Sequence, residues 1–171
     1  MVSERERAVP EYRAWVASGD LRLTDGNMTD YTVIEADIRQ LCDRFDVQAI
    51  VIERYGALHL AANLSTSGLP ARIESKNAKV FTPPAKELEA RIKAQKFRHT
   101  GRTFVTWQAS NVCVDRRRDG SLLPTKERAD SPHKIDAIDA ILLAMSAMLE
   151  TPVRELSIYE RPDFQVSDVL L

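Results

Sequence analysis

The chain has 171 residues, 44% of them hydrophobic and 29% charged, with a formal net charge of −1. A chain of this length buries roughly 70% of its unfolded surface as one domain, so it needs neither disulfides nor a structural metal to hold a core, and its composition excludes a disordered or fibrous protein. Even charge balance over the whole chain speaks against a nucleic-acid partner, but it conceals a strong asymmetry.

Residues 1–75 carry 8 basic and 12 acidic side chains, residues 76–134 carry 14 and 6, and residues 135–171 carry 2 and 7. A basic centre between acidic flanks suits a protein that grips polyphosphate with one surface and cations with another. A solvated face without a partner is the competing reading. The two cysteines, Cys42 and Cys113, have no metal-ligand spacing and suit a reducing compartment. The longest apolar runs fall short of the ~20 residues of a membrane span. The charged start MVSERERAVPEYR is no signal peptide, so a cytoplasmic protein with no membrane partner is expected.

Residues 11–18 (EYRAWVAS) predict a short helix ended by Gly19, with Tyr12 and Trp15 on one face. Residues 24–30 (TDGNMTD) are turn chemistry. Val33, Ile34, Ile38, Leu41 and Phe45 recur at helical spacing and predict an amphipathic helix over 32–46. The run Gln48-Ala-Ile-Val-Ile-Glu53 reads as a strand covered on both faces, as in a parallel sheet between helices. Residues 56–67 predict a helix closed by Gly68, and Leu69–Ile73 a second short strand. Pro83-Pro84 is expected to open a helix running to about Lys96. Residues 103–109 fit strand or helix. Residues 112–126 predict a hairpin turning on Asp119-Gly120 through a type I′ turn. A last helix is expected from about Lys134 to Glu150. Strands alternating with helices indicate an α/β layered domain around a mostly parallel sheet, with a hairpin added late.

The segment 135–149, IDAIDAILLAMSAML, carries the most chemical information. At 100° per residue its polar members, Asp136, Asp139 and Ser146, fall within an arc of roughly 80°, and the remaining circumference is apolar, which predicts a buried helix. Each ionised carboxylate buried there costs several kcal/mol, whereas the helix dipole offsets only ~0.3–1 kcal/mol. Basic residues or metal ions must therefore face them, unless the two aspartates simply cap and solvate the helix start. Glu53 ends the strand AIVIE, where sites form in open α/β sheets; the alternative is an exposed charge paired with Arg54. Together Glu53, Asp136 and Asp139 would form an oxygen cluster of the kind preferred by Mg²⁺ or Mn²⁺, and a two-metal site of that kind cleaves phosphodiesters. Glu53 and Asp136 are the expected catalytic pair. Arg91, Lys93, Lys96, Arg98 and Arg102 surround one helix end, Arg116, Arg117 and Arg118 crowd the hairpin, and Lys126, Arg128, His133 and Lys134 lead into the acidic helix. Arg116, Arg117, Arg118, Lys126, Arg128 and Lys134 are the expected DNA-binding set. His59 and His99 have no zinc spacing, and Trp15, Trp107 and the tyrosines, too dispersed for base stacking, read as core.

Several short motifs carry a resemblance: Tyr12-Arg-Ala-Trp15 with Gly19-Asp-Leu21, Thr24 to Tyr31 (TDGNMTDY), the strand ending VIERY, Lys86-Glu-Leu-Glu89, His99, Asn111-Val112, Lys134-Ile-Asp-Ala-Ile-Asp-Ala140 and the tail Ser157-Ile-Tyr-Glu160. In this order and spacing, over about residues 11–160, the chain resembles the nuclease domain of the large subunit of tailed-phage DNA-packaging terminases. The resemblance implies a ribonuclease H-like α/β fold and metal-dependent cleavage of double-stranded viral DNA at the start and end of packaging. It also implies an ATPase domain or subunit, a small terminase subunit and a portal as partners, in the host cytoplasm. Family carboxylates from a first strand, a later strand and a late helix hold the metals; the later position matches Glu53, where aspartate is more usual, and the helix position matches Asp136, with Asp139 as an addition.

Two family features have no counterpart. MVSERERAVP carries no strand ending in aspartate, and no G-x-x-x-x-G-K-[ST] occurs. The chain is therefore expected to correspond to the later two-thirds of a nuclease domain: a fragment, a remnant reading frame or a partner of a separately encoded protein. Residues 1–10 read as an extension, 11–150 as the nuclease domain and 151–171 as a tail. A catalytically inactive DNA-binding or assembly module with the same fold is the alternative to an active endonuclease. A junction resolvase or transposase would fit the carboxylates but not the Tyr-Trp and tail motifs.

Overall fold

The computed structural model describes residues 9–24, 29–55 and 57–150. The expected tail 151–171, its motif at 157–160, most of the expected N-terminal extension and the centre of the TDGNMTD turn lie outside the described residues. Helix α1 (Tyr12–Ala17) and α2 (Tyr31–Arg44) precede strand β1 (Ile50–Glu53), helix α3 (Leu58–Thr66) and strand β2 (Ala71–Glu74). Helices α4 (Ala78–Lys93) and α5 (Thr103–Ser110), the hairpin strands β3 (Cys113–Arg116) and β4 (Leu122–Thr125), and helix α6 (Asp136–Glu150) follow.

β1 and β2 pair in parallel in the register Ile50↔Ala71, Val51↔Arg72, Ile52↔Ile73 and Glu53↔Glu74, with α3 as the crossover between them. The sheet has two strands among the described residues, narrower than the run AIVIE suggests, and all four β1 residues are only half-buried rather than covered on both faces. α2 carries the expected amphipathic pattern yet buries none of its residues, and Leu41 and Phe45 are exposed. Its start is fixed by Asp30, whose carboxylate accepts the Thr32 hydroxyl at 2.6 Å and the Thr32 amide at 2.9 Å and is held below its usual pKa by them. Polar bonds tie α2 to α3: Arg39 Nη2 donates to both Glu35 and Ser67 at 2.6 Å.

Two local expectations are corrected. α4 begins five residues before Pro83, because Asn77 is the stronger start signal: its side chain accepts the Val80 amide at 3.1 Å. Pro83 and Pro84 consequently lie inside the helix, where the Thr82 hydroxyl donates to the Ala78 carbonyl at 2.5 Å and accepts the Leu122 amide at 2.8 Å. The hairpin also turns differently. A type I′ turn requires positive φ at both central residues, but Gly120 alone in this turn has it, at +79°. Gly120 N donates to Arg117 O at 3.0 Å and Arg117 N to Ser121 O at 3.0 Å, the geometry of a type I turn followed by a glycine bulge.

The core lies between α4, α6, β1 and β4. Phe81, Leu142 and Leu143 form its centre, with Val51, Val80, Ala85, Leu88, Leu123 and Ile138 against them. α6 is not buried all round as its composition predicts: Ala140, Ala144, Met148 and Leu149 are exposed, and only the side facing α4, α5 and β1 is enclosed. A second cluster fastens α1 to α5, as expected for core tryptophans, whereas Tyr31 and Tyr55, also expected in the core, are exposed. The Trp15 ring lies 5.2 Å from Phe104 and 5.0 Å from Trp107 between centroids, and its Nε1 donates to Thr103 Oγ1 at 3.0 Å. An ion pair between Arg102 and Asp20 closes the same contact.

Leu142 is 1% exposed at the meeting point of three elements. Leu142→Ala should lower the unfolding free energy by about 2–5 kcal/mol in urea titrations followed by circular dichroism.

Candidate functional site

The start of α6 is built from α5. Gln108 is 2% exposed, and its Oε1 accepts the Ala137 amide at 2.6 Å, satisfying one donor of the first helical turn. Asn111 Nδ2 donates to the Lys134 carbonyl at 3.1 Å, and the buried Ile135 pins the chain just before the helix. These contacts divide the two aspartates. Asp136 is exposed, whereas Asp139, 9% exposed, faces the interior.

Asp139 is held on one side only. Lys76 Nζ donates to Oδ2 at 2.6 Å, while Oδ1 is buried without a hydrogen-bond partner. Burial pushes its carboxyl above the ordinary aspartate pKa; the Lys76 bond and charge oppose that rise, and the Asp136 charge adds to it. The Lys76 ammonium also lies 5.8 Å from the Phe81 ring centroid, so the ion pair rests on the core.

Glu53 closes β1 two residues after Val51, and the alternation of a strand puts the two side chains on the same face. That face is the one toward α6, since Val51 packs against Leu142 and Leu143 and its register partner Arg72 pairs with Glu150 at 2.5 Å. Glu74, the register partner of Glu53, shares the face; its Oε1 accepts the Ser75 amide at 3.0 Å. The carboxyl ends of both strands thus carry Glu53 and Glu74, with Lys76 two residues further on reaching Asp139.

Oxygen donors of this kind suit Mg²⁺ or Mn²⁺, and Oδ1 of Asp139 is buried without a hydrogen-bond partner. Among the described residues, however, no three His, Cys, Asp or Glu side chains lie close enough together to hold an ion. Asp136 and Asp139 share the first turns of α6 and Glu53 ends the strand β1 that packs on that helix, but the three do not form a ligand cluster, so the described set by itself does not fit a resident metal.

The basic residues are dispersed. Arg116 lines an apolar groove with Leu88, Ile92 and Val114, Arg117 Nε sits 3.8 Å from Asp115, and Arg118 is exposed at the turn. Lys126 Nζ donates to the Ala129 carbonyl at 2.7 Å, Arg128 is exposed 3.8 Å from Asp130, and Lys134 is half-buried at the approach to α6. Sequence reasoning missed Glu74, Lys76 and Gln108. Glu74 was accessible in principle, because ARIE ends in glutamate just as AIVIE does; Lys76 and Gln108 act on residues 63 and 29 positions away and leave no local pattern.

The chain matches the family "Terminase large subunit, endonuclease domain" over residues 1–151. It is 31% identical over 150 residues to Protein YmfN of Escherichia coli (strain K12), covering 86% of this chain and 32% of that protein. It is 26% identical over 138 residues to the terminase large subunit of Enterobacteria phage HK97, covering 80% of this chain and 27% of that one. The chain thus spans about a third or less of these relatives' length. The crystal structure of the HK97 bacteriophage large terminase superposes with a TM-score of 0.73 at 24% identity, over 84% of this chain and 30% of that one. The parallel strands joined by α3, the enclosing helices and this superposition define a ribonuclease H-like α/β fold, and the chain belongs to the terminase large subunit endonuclease domain family.

Proposed function

We propose that the chain is the greater part of a divalent-metal-dependent endonuclease that cleaves double-stranded concatemeric viral DNA during genome packaging, in the cytoplasm of the host. The family supports a packaging nuclease in general terms. The observation that carries the finer reading is Asp139: a buried carboxylate with one oxygen lacking any donor has a desolvation cost that Lys76 offsets only in part and that a further cation would reduce. Glu53 and Asp136 are the catalytic carboxylates in this reading, Asp139 a further metal ligand, and the ion Mg²⁺ or Mn²⁺. Since the described carboxylates do not complete a ligand sphere, the remaining ligand comes from outside the described residues, and the ATPase domain or subunit, the small terminase subunit and the portal are the partners in packaging. Arg116, Arg117, Arg118, Lys126, Arg128 and Lys134 hold the DNA backbone.

A second reading is favoured by a specific observation. Lys76 already neutralises Asp139, and no three metal-ligating side chains converge among the described residues, as expected of a DNA-binding or assembly module that keeps the fold without the reaction. The two readings separate in one assay. With Mn²⁺, the wild-type chain nicks supercoiled plasmid, and Asp136→Ala abolishes the nicking; undiminished nicking in that variant rejects the assignment, and DNA binding with no nicking at any Mn²⁺ concentration selects the second reading.

The hairpin assignment has its own measurement. Replacing Arg116, Arg117 and Arg118 together by alanine should weaken duplex binding and flatten the dependence of log affinity on log salt by roughly 0.9 for each phosphate that is no longer neutralised, read by fluorescence anisotropy.

The ionisation of Asp139 predicts a pH effect on stability. Its folded pKa is raised, so its contribution to stability is present below the unfolded value and is lost as pH rises through the folded one. In EDTA, Asp139→Asn should therefore raise the thermal midpoint relative to wild type more at about pH 8 than at about pH 4. An equal effect at both pH values would contradict the raised pKa.

A further inference from the structure

We infer that the loop between α4 and α5 is a second anchoring surface for duplex DNA, gripping the phosphate backbone through Lys96 and Arg98. The inference rests on the reading of the chain as a protein that acts on DNA, given above, and adds a contact outside the hairpin and the approach to α6.

Between Glu89 and Asp115 the chain has no acidic residue, while Arg91, Lys93, Lys96, Arg98 and Arg102 fall within twelve positions. Three of these cations are already neutralised: Arg91 by Glu87 at 2.7 Å, Lys93 by Glu89 at 2.6 Å, and Arg102 by Asp20. Lys96 and Arg98 are exposed and pair with no carboxylate among the described residues. The field at the C-terminal end of a helix accounts for Arg91 and Lys93 in the last turn of α4, but it falls off within that turn and does not extend to Arg98.

The loop is fixed along its length. Gln95 N donates to Ile92 O at 3.0 Å and Lys96 N to Arg91 O at 2.8 Å, closing α4 with Gln95 at φ +56°, a left-handed conformation that a residue with a Cβ rarely adopts. The Phe97 and His99 rings stack at 6.0 Å between centroids, and the Gly101 amide donates to His99 Nδ1 at 3.1 Å. The proton of the neutral His99 ring therefore lies on Nε2, which adds a donor next to Arg98 in the chain. Two cations and an N–H, with Phe97 half-buried rather than offered as a stacking platform, suit phosphate oxygens and give no base readout.

The cations near the hairpin are more engaged. Arg117 sits 3.8 Å from Asp115, Arg128 3.8 Å from Asp130, and Lys126 Nζ is bound to the Ala129 carbonyl. The loop also leads directly into α5, whose Gln108, with Asn111 just beyond it, fixes the start of α6, and a helix of this length spans about 12 Å. A duplex carries a charge every ~1.7 Å of its axis, so one duplex reaches from the loop to the acidic helix, and α5 sets the spacing between them.

The test is fluorescence anisotropy of the full 171-residue chain with a labelled mixed-sequence duplex in EDTA, across a salt titration. Lys96→Gln combined with Arg98→Gln should weaken binding about tenfold or more at low salt and flatten the slope of log affinity against log salt by roughly 0.9 for each of the two phosphates no longer neutralised. Lys96→Arg with Arg98→Lys should keep the wild-type slope, and so should Arg44→Gln, which removes a cation at the end of α2. Far-UV circular dichroism checks folding, and either single glutamine variant serves if the pair does not fold. An unchanged slope in the glutamine variants, or an equal flattening by Arg44→Gln, overturns the loop assignment and leaves the DNA reading standing. Tighter binding to a single strand of the same sequence overturns the duplex assignment. No salt-dependent binding of duplex by the wild-type chain overturns both the loop assignment and the DNA reading.

Discussion

Everything at this site depends on how α6 is packed. The same helix supplies Leu142 and Leu143 to the core and carries Asp139 one turn earlier on the enclosed side, so the hydrophobic contacts that stabilise the fold also bring a carboxylate out of water. Burial of the aliphatic face is favourable by about 25 cal/mol per Å² of apolar surface, and the helix cannot rotate to free Asp139 without exposing that surface. The fold resolves part of the conflict locally, by a lysine delivered from the loop after β2. The desolvation of Asp139 still outweighs the Lys76 contact, and its carboxyl titrates high.

The helices are held by different means. Toward α6, Val51 and Arg72 are tied to core and helix by packing and by the Glu150 ion pair. Elsewhere, α2 is attached through Arg39, Glu35, Asn63 and Ser67, and buries no residue of its own. Polar fastening holds a helix in register but contributes little stability in water, so α2 is held more weakly than α6. β1, an apolar strand whose residues remain half-buried, has spare capacity for further packing.

Much of this architecture was legible in the residues. Helical periodicity located α2 and α6, and the short apolar runs located β1 and β2, because each signal is local. Errors arose where two local signals competed. At α4, the proline pair looked like a helix start, but a side-chain cap at Asn77 prevailed; at the hairpin, Asp-Gly suggested a two-residue turn, and Ser121 closing on Arg117 made it longer. Even the all-apolar circumference of α6 misled, since a helix at the edge of a small domain leaves part of its surface in water. The acidic stripe of α6 was readable, but Asp136 and Asp139 differ in surroundings because Gln108 and Lys76, distant in sequence, fix how the helix begins and what faces it. The family resemblance supplied what periodicity could not, namely that the chain belongs to the terminase large subunit endonuclease domain family.

The aromatic clamp between α1 and α5 has a spectroscopic consequence. The chain has two tryptophans, Trp15 and Trp107, and both belong to this clamp, with ring centroids 5.0 Å apart. Indole emission therefore reports the docking of α1 and is nearly silent about the Phe81 and Leu142 core, whereas far-UV ellipticity is dominated by the long helices α2, α4 and α6. Two probes of one small domain thus view two separate clusters, and whether their unfolding curves superimpose measures how tightly the clamp is coupled to the acidic helix.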